Sequence, residues 1–247
     1  MIIKTYEELK FYLNMFKNGN ANLIVLESRG GLGKSKLITE VLENTEYIRI
    51  LAHVTPLRLY SLCYEHKDKY IIIDDVDSLM ENTDNIALIK QLCESSEVKE
   101  MSWLSTTSTL DKIDLPEVFT TSSKAIIICN SFNELSSKIY AVRDRAFHLE
   151  FRPDQQEILN KMSEILPKIF TEMPLIHKEE VLNLIKEYSD VVDLSLRNLI
   201  KGLSLYKECN SGKALDWKSR LISSLEIMPK PFVNNQEQAH SGLVPLS

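Results

Sequence analysis

Glycine, proline and cysteine are all scarce in this chain of 247 residues. It holds 7 glycines and 8 prolines, so those present are expected to mark real turns, and no flexible linker is expected within its body. The four cysteines are far apart and form no C-x-x-C pair, which argues against a disulfide framework and a structural zinc site. We expect them to be small buried side chains in a reducing compartment: Cys63, Cys93, Cys129 and Cys209.

Long hydrophobic runs and an excess of positive charge are also missing. No apolar run reaches the roughly 20 residues needed to span a membrane. The N-terminus has no basic region followed by an apolar core and a small-residue cleavage site. We therefore expect a cytoplasmic protein with no membrane partner. The formal net charge of −6 argues against a protein that coats nucleic acid, although it leaves room for a local DNA-binding surface in an assembly.

Three glycines cluster between an apolar run, Leu23–Glu27, and a helical pattern. This order of strand, glycine-rich turn and helix predicts a phosphate-binding loop, because its backbone N–H groups and the helix N-terminus attract anionic phosphates. We predict that Lys34 reaches the β- and γ-phosphates and that the Ser35 hydroxyl binds Mg²⁺. The residues predicted to contact the nucleotide, ATP, are Gly30, Gly31, Leu32, Gly33, Lys34, Ser35 and Lys36.

One position departs from the G-x-x-x-x-G-K-[ST] pattern, because Ser28 stands where the first glycine belongs. Gly30, Gly31 and Gly33 permit positive φ angles and so can supply the turns that the loop needs. A glycine-rich connection without a ligand is the alternative. It ranks lower, since both the strand and the helix that the motif requires are present.

A second apolar run, Tyr70 to Ile73, ends in Asp74 and Asp75. Such a run is typical of a strand buried on both faces of a parallel sheet, and ligands bind at the carboxyl ends of those strands. We predict that Asp74 holds Mg²⁺ and that Asp75 polarises the attacking water. Acidic residues also begin ordinary turns, an alternative that carries less weight in a chain with a phosphate loop.

Polar residues also lie at the end of a further predicted strand and at the end of a predicted helix. A buried strand ends at Asn130, whose amide can orient the hydrolytic water, contact the γ-phosphate or simply begin a turn. Arg143 and Arg145 precede a strand over 146–151, and taken alone they suit a helix C-terminus. The stretch from Lys99 to Thr109, which contains Trp103, predicts either a short hairpin or a loop that faces a substrate, with ordinary packing under a loop preferred.

The pattern becomes purely helical from Pro153, and Arg197 lies in the first turn of the third of these helices. We therefore predict an α/β nucleotide-binding domain with an N-terminal helix over 1–152 and a small helical domain over 153–228, which the resemblance described next implies to be a lid. Residues 229–247 lose all periodicity and are predicted to be a disordered tail.

The order of these parts resembles the AAA+ ATPase superfamily from about Leu23 to Tyr206. The resemblance implies an α/β fold, with a five-stranded parallel P-loop sheet flanked by helices and followed by a small all-helical lid. It also implies roles by position. Gly33, Lys34 and Ser35 fall in Walker A, Asp74 and Asp75 end the Walker B strand, and Asn130 falls at sensor 1. Arg145 matches the arginine finger that acts in trans, with Arg143 as the alternative, and Arg197 resembles the sensor 2 arginine.

Two departures from the family shape the functional hypothesis. The family usually has glutamate where this chain has Asp75, and losing one methylene moves the carboxylate by roughly 1.5 Å. Residues 53–58 lack the pore-loop triplet of the protein unfoldases, which favours the compact AAA+ proteins of replication, helicase loading, phages and mobile elements. We therefore expect a homo-oligomeric ring or filament that hydrolyses ATP and remodels or loads a DNA or replication-protein partner. A nucleotide-dependent scaffold with little turnover is the alternative, and a P-loop kinase ranks third.

Overall fold

A computed structural model describes residues 1–51, 54–74, 82–103, 114–130, 140–209 and 216–225. The strands in this part of the chain are β1 Ile2–Ile3, β2 Leu23–Glu27, β3 Tyr47–Leu51, β4 Tyr70–Asp74, β5 Lys99–Ser102, β6 Val118–Thr121, β7 Ala125–Cys129 and β8 Phe147–Phe151. The helices are α1 Tyr6–Lys17, α2 Lys34–Val41, α3 Pro56–Glu65, α4 Thr83–Leu92, α5 Tyr140–Arg145, α6 Gln155–Ile165, α7 Leu175–Glu187, α8 Leu196–Cys209 and α9 Trp217–Ser224, with a 3₁₀ turn at Leu166–Lys168.

Six strands form one sheet in the order β1-β8-β2-β7-β4-β3, and every pair in it is parallel. This confirms the predicted α/β class, with one strand more than the five expected. The extra strand is the two-residue β1, in which Ile2 pairs with Glu150 and Ile3 with Phe151 at the edge. Because the strands are parallel, the ends of β2, β7 and β4 that carry the predicted site residues share one edge of the sheet.

A two-stranded antiparallel hairpin of β5 and β6 is separate from this sheet. Trp103 follows β5, and its backbone N–H donates to the Glu117 carbonyl at 2.8 Å. Its ring lies 6.2 Å from that of Tyr60, which is itself completely buried. Trp103 thus packs against the buried core, as preferred. The partner of β5 is β6, which lies beyond the stretch from Lys99 to Thr109, and residues 104–113 lie outside the described part of the chain.

The N-terminal helix begins at a capping box formed by Thr5 and Glu8. The Thr5 hydroxyl accepts a hydrogen bond from the Glu8 N–H at 3.1 Å, and a Glu8 carboxylate oxygen accepts one from the Thr5 N–H at 3.0 Å. This capping box satisfies backbone donors that the first turn leaves open. The apolar face of the helix is buried through Leu9, Leu13 and Phe16.

The chain divides into two compact units, one of Met1–Ile165 with Ser195–Arg197, and one of Leu166–Leu194 with Asn198–Ser247. Helix α6 belongs to the first unit, where the Tyr6 N–H donates to a Glu157 carboxylate oxygen at 2.9 Å. The predicted lid over 153–228 begins earlier than this division by contacts, because the sequence pattern groups all the consecutive helices together. The predicted tail, 229–247, lies outside the described residues.

The second unit owes its close helix packing to a glycine. A Cβ on Gly202 in α8 would lie 2.6 Å from the Val181 side chain and 3.1 Å from that of Leu221. Helices α7 and α9 therefore approach α8 at a point where only glycine fits. Among the described residues, no helix combines the length and apolar character needed to cross a membrane.

Candidate functional site: a phosphate loop at the sheet edge

The glycine-rich turn joins the end of β2 to the start of α2. Gly31 has a φ of +82° and Gly33 a φ of +76°, and Gly33 is the residue that caps α2. These left-handed conformations favour glycine, as predicted. Of the three loop glycines, Gly30 does not have a positive φ, so the left-handed turns fall at the other two.

Neither of these two glycines has room for a side chain. A Cβ on Gly31 would lie 2.9 Å from the Ser195 Cβ, and one on Gly33 would lie 2.8 Å from Leu196 Cδ1. The Leu196 N–H donates to the Gly31 carbonyl at 2.9 Å. All of these residues belong to the first unit. The start of α8 is therefore held directly against the loop.

Arg197 lies at the same contact. Its guanidinium Nη1 is 3.5 Å from the position that a Cβ on Gly30 would take, and its Cδ is 3.3 Å from the corresponding position on Gly31. The structure thus brings the predicted sensor 2 arginine to the loop, although the two are more than 160 residues apart in sequence. A cation placed here can pair with an anion held by the loop.

Lys34 is buried in the first turn of α2. Its ammonium donates to the carbonyl oxygens of Ser28 and Arg29, the second at 3.0 Å. Burial is the main reason that the pKa of Lys34 lies below its ordinary value, and the nearby charge of Arg197 lowers it further. A buried ammonium beside loop carbonyls is well placed for phosphate oxygens, which satisfy its charge better than neutral carbonyls do.

Ser28, the residue that departs from the loop pattern, fits its place. Its N–H donates to the Cys129 carbonyl at 3.2 Å, and the residue is only 5% exposed. The serine therefore continues the pairing between β2 and β7 at the base of the loop. The glycine that the pattern prefers is not needed there for a positive φ, since the left-handed turns come later in the loop.

Ser35 and Asp74 lie together, as the two motifs predicted. The Ser35 hydroxyl donates to Asp74 Oδ2 at 2.9 Å, although the residues come from α2 and from the end of β4. A hydroxyl and a carboxylate supply the oxygen ligands that Mg²⁺ prefers, so this pair fits the predicted metal. Asp75, the predicted partner of the water, lies outside the described residues.

Two side chains at the site were missed by the sequence analysis. Arg49, on β3, forms an ion pair with the same Asp74 oxygen that accepts from Ser35. The buried Tyr6 hydroxyl donates to the Leu32 carbonyl at 3.0 Å and so fixes the middle of the loop. Neither residue belongs to a local motif. The only signal for Arg49 is a cation in an alternating strand near the predicted acidic strand tip.

The remaining predicted residues are more exposed. Asn130 directly follows β7, between the strands that carry the loop and Asp74, and its side chain faces solvent. Arg145 ends α5, where its guanidinium lies 3.6 Å from a carboxylate oxygen of Glu94. Lys36, also predicted to contact the nucleotide, is exposed on α2. Asn130 thus lies at the same edge of the sheet as the phosphate loop and Asp74, as expected. Arg145 instead pairs with Glu94, which does not belong to the loop.

Solved structures with a similar fold are found for this chain, whereas matches in sequence are not. No protein-family model and no curated protein matches this chain. Domain III of the Thermotoga maritima replication initiation protein DnaA is similar to it with a TM-score of 0.57 and 20% identity, over 90% of this chain and 92% of that one. A chain of the E. coli MS115-1 HORMA:CdnC:Trip13 complex is similar with a TM-score of 0.50 and 12% identity, over 90% and 88% respectively. These likenesses confirm the predicted fold class, a parallel α/β sheet flanked by helices with further helices after it in the chain.

Proposed function

We propose that this protein binds ATP with Mg²⁺ and hydrolyses it as an oligomeric AAA+ ATPase. The observation that carries the proposal is the meeting of Lys34, the Ser35–Asp74 pair and Arg197 around one glycine-rich loop. A buried ammonium, a metal-binding oxygen pair and a second cation match what a triphosphate requires.

In this proposal each residue has a separate task. The N–H groups of the loop and the Lys34 ammonium bind phosphate oxygens, and Ser35 and Asp74 hold the metal, which neutralises phosphate charge when bound. Asn130 orients the attacking water and Asp75 polarises it. Arg197 approaches the γ-phosphate from the start of α8, and we assign residues 153–228, which include it, to the lid.

We further propose that Arg145 acts in the nucleotide site of a neighbouring subunit. Its position at the end of α5 is partly exposed, with 33% of the side chain accessible, and its ion pair to Glu94 is long at 3.6 Å. An arginine held this loosely is free to exchange its partner for a phosphate. Hydrolysis would then require a ring or filament of this chain.

The proposed partner is DNA or a protein of DNA replication, and the proposed location is the cytoplasm. One structural neighbour is part of a replication initiation protein, which supports this choice by analogy of fold alone. The formal charge of −6 favours a local binding surface over a chain-wide one. A scaffold that binds ATP and recruits partners with little turnover remains the second candidate, because Asp75 replaces the usual glutamate.

Phosphate release and ATP binding, measured with and without single- and double-stranded DNA, test the proposal. The parent should bind ATP and release phosphate continuously, with faster release once DNA promotes assembly. Lys34→Ala removes two or more charge-assisted hydrogen bonds of about 1.5–3 kcal/mol each and should weaken ATP binding at least about a hundredfold. Lys10→Ala, an exposed change on α1, is the matched control and should behave as the parent.

The outcomes separate the candidates. Sustained turnover excludes the scaffold, whereas binding and assembly without turnover exclude the ATPase. Equal ATP affinity of the parent and Lys34→Ala would refute the phosphate loop itself.

A further inference from the structure

Three side chains that the proposed function does not use come together on β2 and β8. Glu27 ends β2, and His148 and Glu150 lie two residues apart on β8. One ligand atom from each can be chosen so that all lie within 4.8 Å of one another. His148 Nε2 is 2.9 Å from Glu27 Oε2, and the side chains of His148 and Glu27 are 9% and 14% exposed.

This cluster lies on the face of the sheet opposite Asp74. Val25 and Ile73 belong to one buried cluster against α3 and α4, so they point to the same face. Side chains alternate along a strand, which places Asp74 on the other face and Glu27 on the same face as Val25. His148 pairs with Val25 and therefore shares that face as well. The cluster is thus separate from the Ser35–Asp74 pair.

A cation bound between the two carboxylates would reduce the repulsion between them. Glu27 and Glu150 are direct cross-strand partners, and like charges in that position destabilise a sheet. Partial burial makes their repulsion stronger than it would be in water. The Arg152 guanidinium lies 2.6 Å from a Glu150 carboxylate oxygen, but the arginine side chain is 64% exposed. It therefore neutralises the Glu150 charge only from the solvent side, and it can turn away at little cost in free energy.

We propose that Glu27, His148 and Glu150 bind one divalent transition-metal ion, with Zn²⁺ as the preferred ion. One imidazole nitrogen and two carboxylate oxygens are ligands that Zn²⁺ accepts, and three protein ligands leave a position for water. The ligands sit on two paired strands, so small side-chain adjustments can close the site around an ion. The metal would clamp β2 to β8 at the residue that precedes Ser28. The expectation of no structural zinc rested on cysteine spacing, which does not detect ligands that strand pairing brings together.

Metal binding to the full chain, first stripped with a chelator, tests this site. Zn²⁺ alone should bind with one ion per chain in competition with a chromogenic chelator, and should raise the melting temperature. Co²⁺ should give the absorption of a nitrogen and oxygen site without a thiolate charge-transfer band. Either His148→Gln or Glu150→Gln should weaken Zn²⁺ binding at least about a hundredfold, because a direct ligand matters at least as much as its supporting residues.

The controls decide between this cluster and other ligands. His66→Gln, at the end of α3, should leave Zn²⁺ affinity unchanged. Lys34→Ala should also keep the parent affinity, so the metal site can succeed or fail independently of the nucleotide site. Zn²⁺ binding by His148→Gln and Glu150→Gln at parental affinity, a thiolate band with Co²⁺, or no binding at micromolar Zn²⁺ would each overturn the proposal. Circular dichroism of both variants confirms that they fold. If one does not, the other and the Co²⁺ spectrum of the parent carry the test.

Discussion

The phosphate loop and the groups assigned to hydrolysis differ in how the rest of the chain holds them. The loop is fixed from three sides, by Tyr6 at the Leu32 carbonyl, by the start of α8 at Gly31, and by β7 at Ser28. Asn130 faces solvent, and Arg145 has a long ion pair to Glu94. The difference is what the proposed function expects, in which one chain forms the nucleotide site and a second subunit supplies contacts for hydrolysis.

Replacing Arg145 tests this contrast most directly. Arg145→Ala should leave ATP binding unchanged and lower turnover in the assembled protein by about a thousandfold or more, the range found for arginine fingers. Binding by a fluorescent ATP analogue and steady-state phosphate release measure the two effects separately. Glu94→Ala removes the partner of Arg145 within the chain and should leave turnover near that of the parent.

Mixing variants shows whether the arginine acts between subunits. Arg145→Ala retains an intact nucleotide site, and Lys34→Ala retains an intact arginine, so a mixed assembly should regain hydrolysis that neither variant has alone. Failure to regain it would contradict action in trans. If Arg143→Ala abolishes turnover and Arg145→Ala does not, the assignment moves to Arg143.

Replacing Asp75 with the longer glutamate tests whether the position of this carboxylate limits hydrolysis. If a carboxylate about 1.5 Å too short limits the attack of water, Asp75→Glu should raise turnover, by up to about a hundredfold for a misplacement of this size. ATP affinity should change little. Single-turnover phosphate release with preassembled protein measures the chemical step. Unchanged or lower turnover would show that Asp75 is not what limits hydrolysis.

The parts of the site that the sequence predicted are those with a local pattern. The loop from Gly30 to Ser35 and the strand ending at Asp74 each need only neighbouring residues to be recognised, and the parallel sheet then brings them to one edge. The capping box at Thr5 is likewise a local pattern, formed by residues three apart. Local chemistry thus accounts for the fold class and for the Ser35–Asp74 pair.

The parts that were missed depend on pairing between distant segments. Arg49 meets Asp74 because β3 pairs with β4, and β1 is too short to show any periodicity. The start of α4 shows a smaller limit. Asn82 and Asp84 both suit a helix cap, and in the structure the Asn82 side chain accepts the N–H bonds of the first turn. Periodicity fixes a helix end only to within a few residues.

Substitutions at two neighbouring glycines test how firmly the rest of the chain holds the phosphate loop. Gly31→Ala should lower the free energy of unfolding by about 2–3 kcal/mol, since it combines a positive φ with a Cβ that would lie 2.9 Å from Ser195. Gly30→Ala is the matched control, because its Cβ would meet Arg197 only at 3.5 Å and its φ is not positive. It should change stability by less than about 0.5 kcal/mol. Equal effects in urea unfolding would show that the loop is not held against α8.

The smallest effect is expected at Arg49, which draws on the same Asp74 oxygen as the proposed metal. A partly exposed ion pair contributes about 0.2–1 kcal/mol, so its removal in Arg49→Ala should lower the Mg²⁺ concentration for half-maximal turnover by up to about fivefold. A Mg²⁺ titration of phosphate release measures this, with Arg58→Ala, which breaks the exposed pair to Glu65 on α3, as the control. A higher Mg²⁺ requirement in Arg49→Ala would mean that the arginine orients Asp74 for the metal. Arg49 would then help Ser35 to hold the Asp74 carboxylate in place for the metal, and the metal-binding part of the site would be fixed before any nucleotide binds.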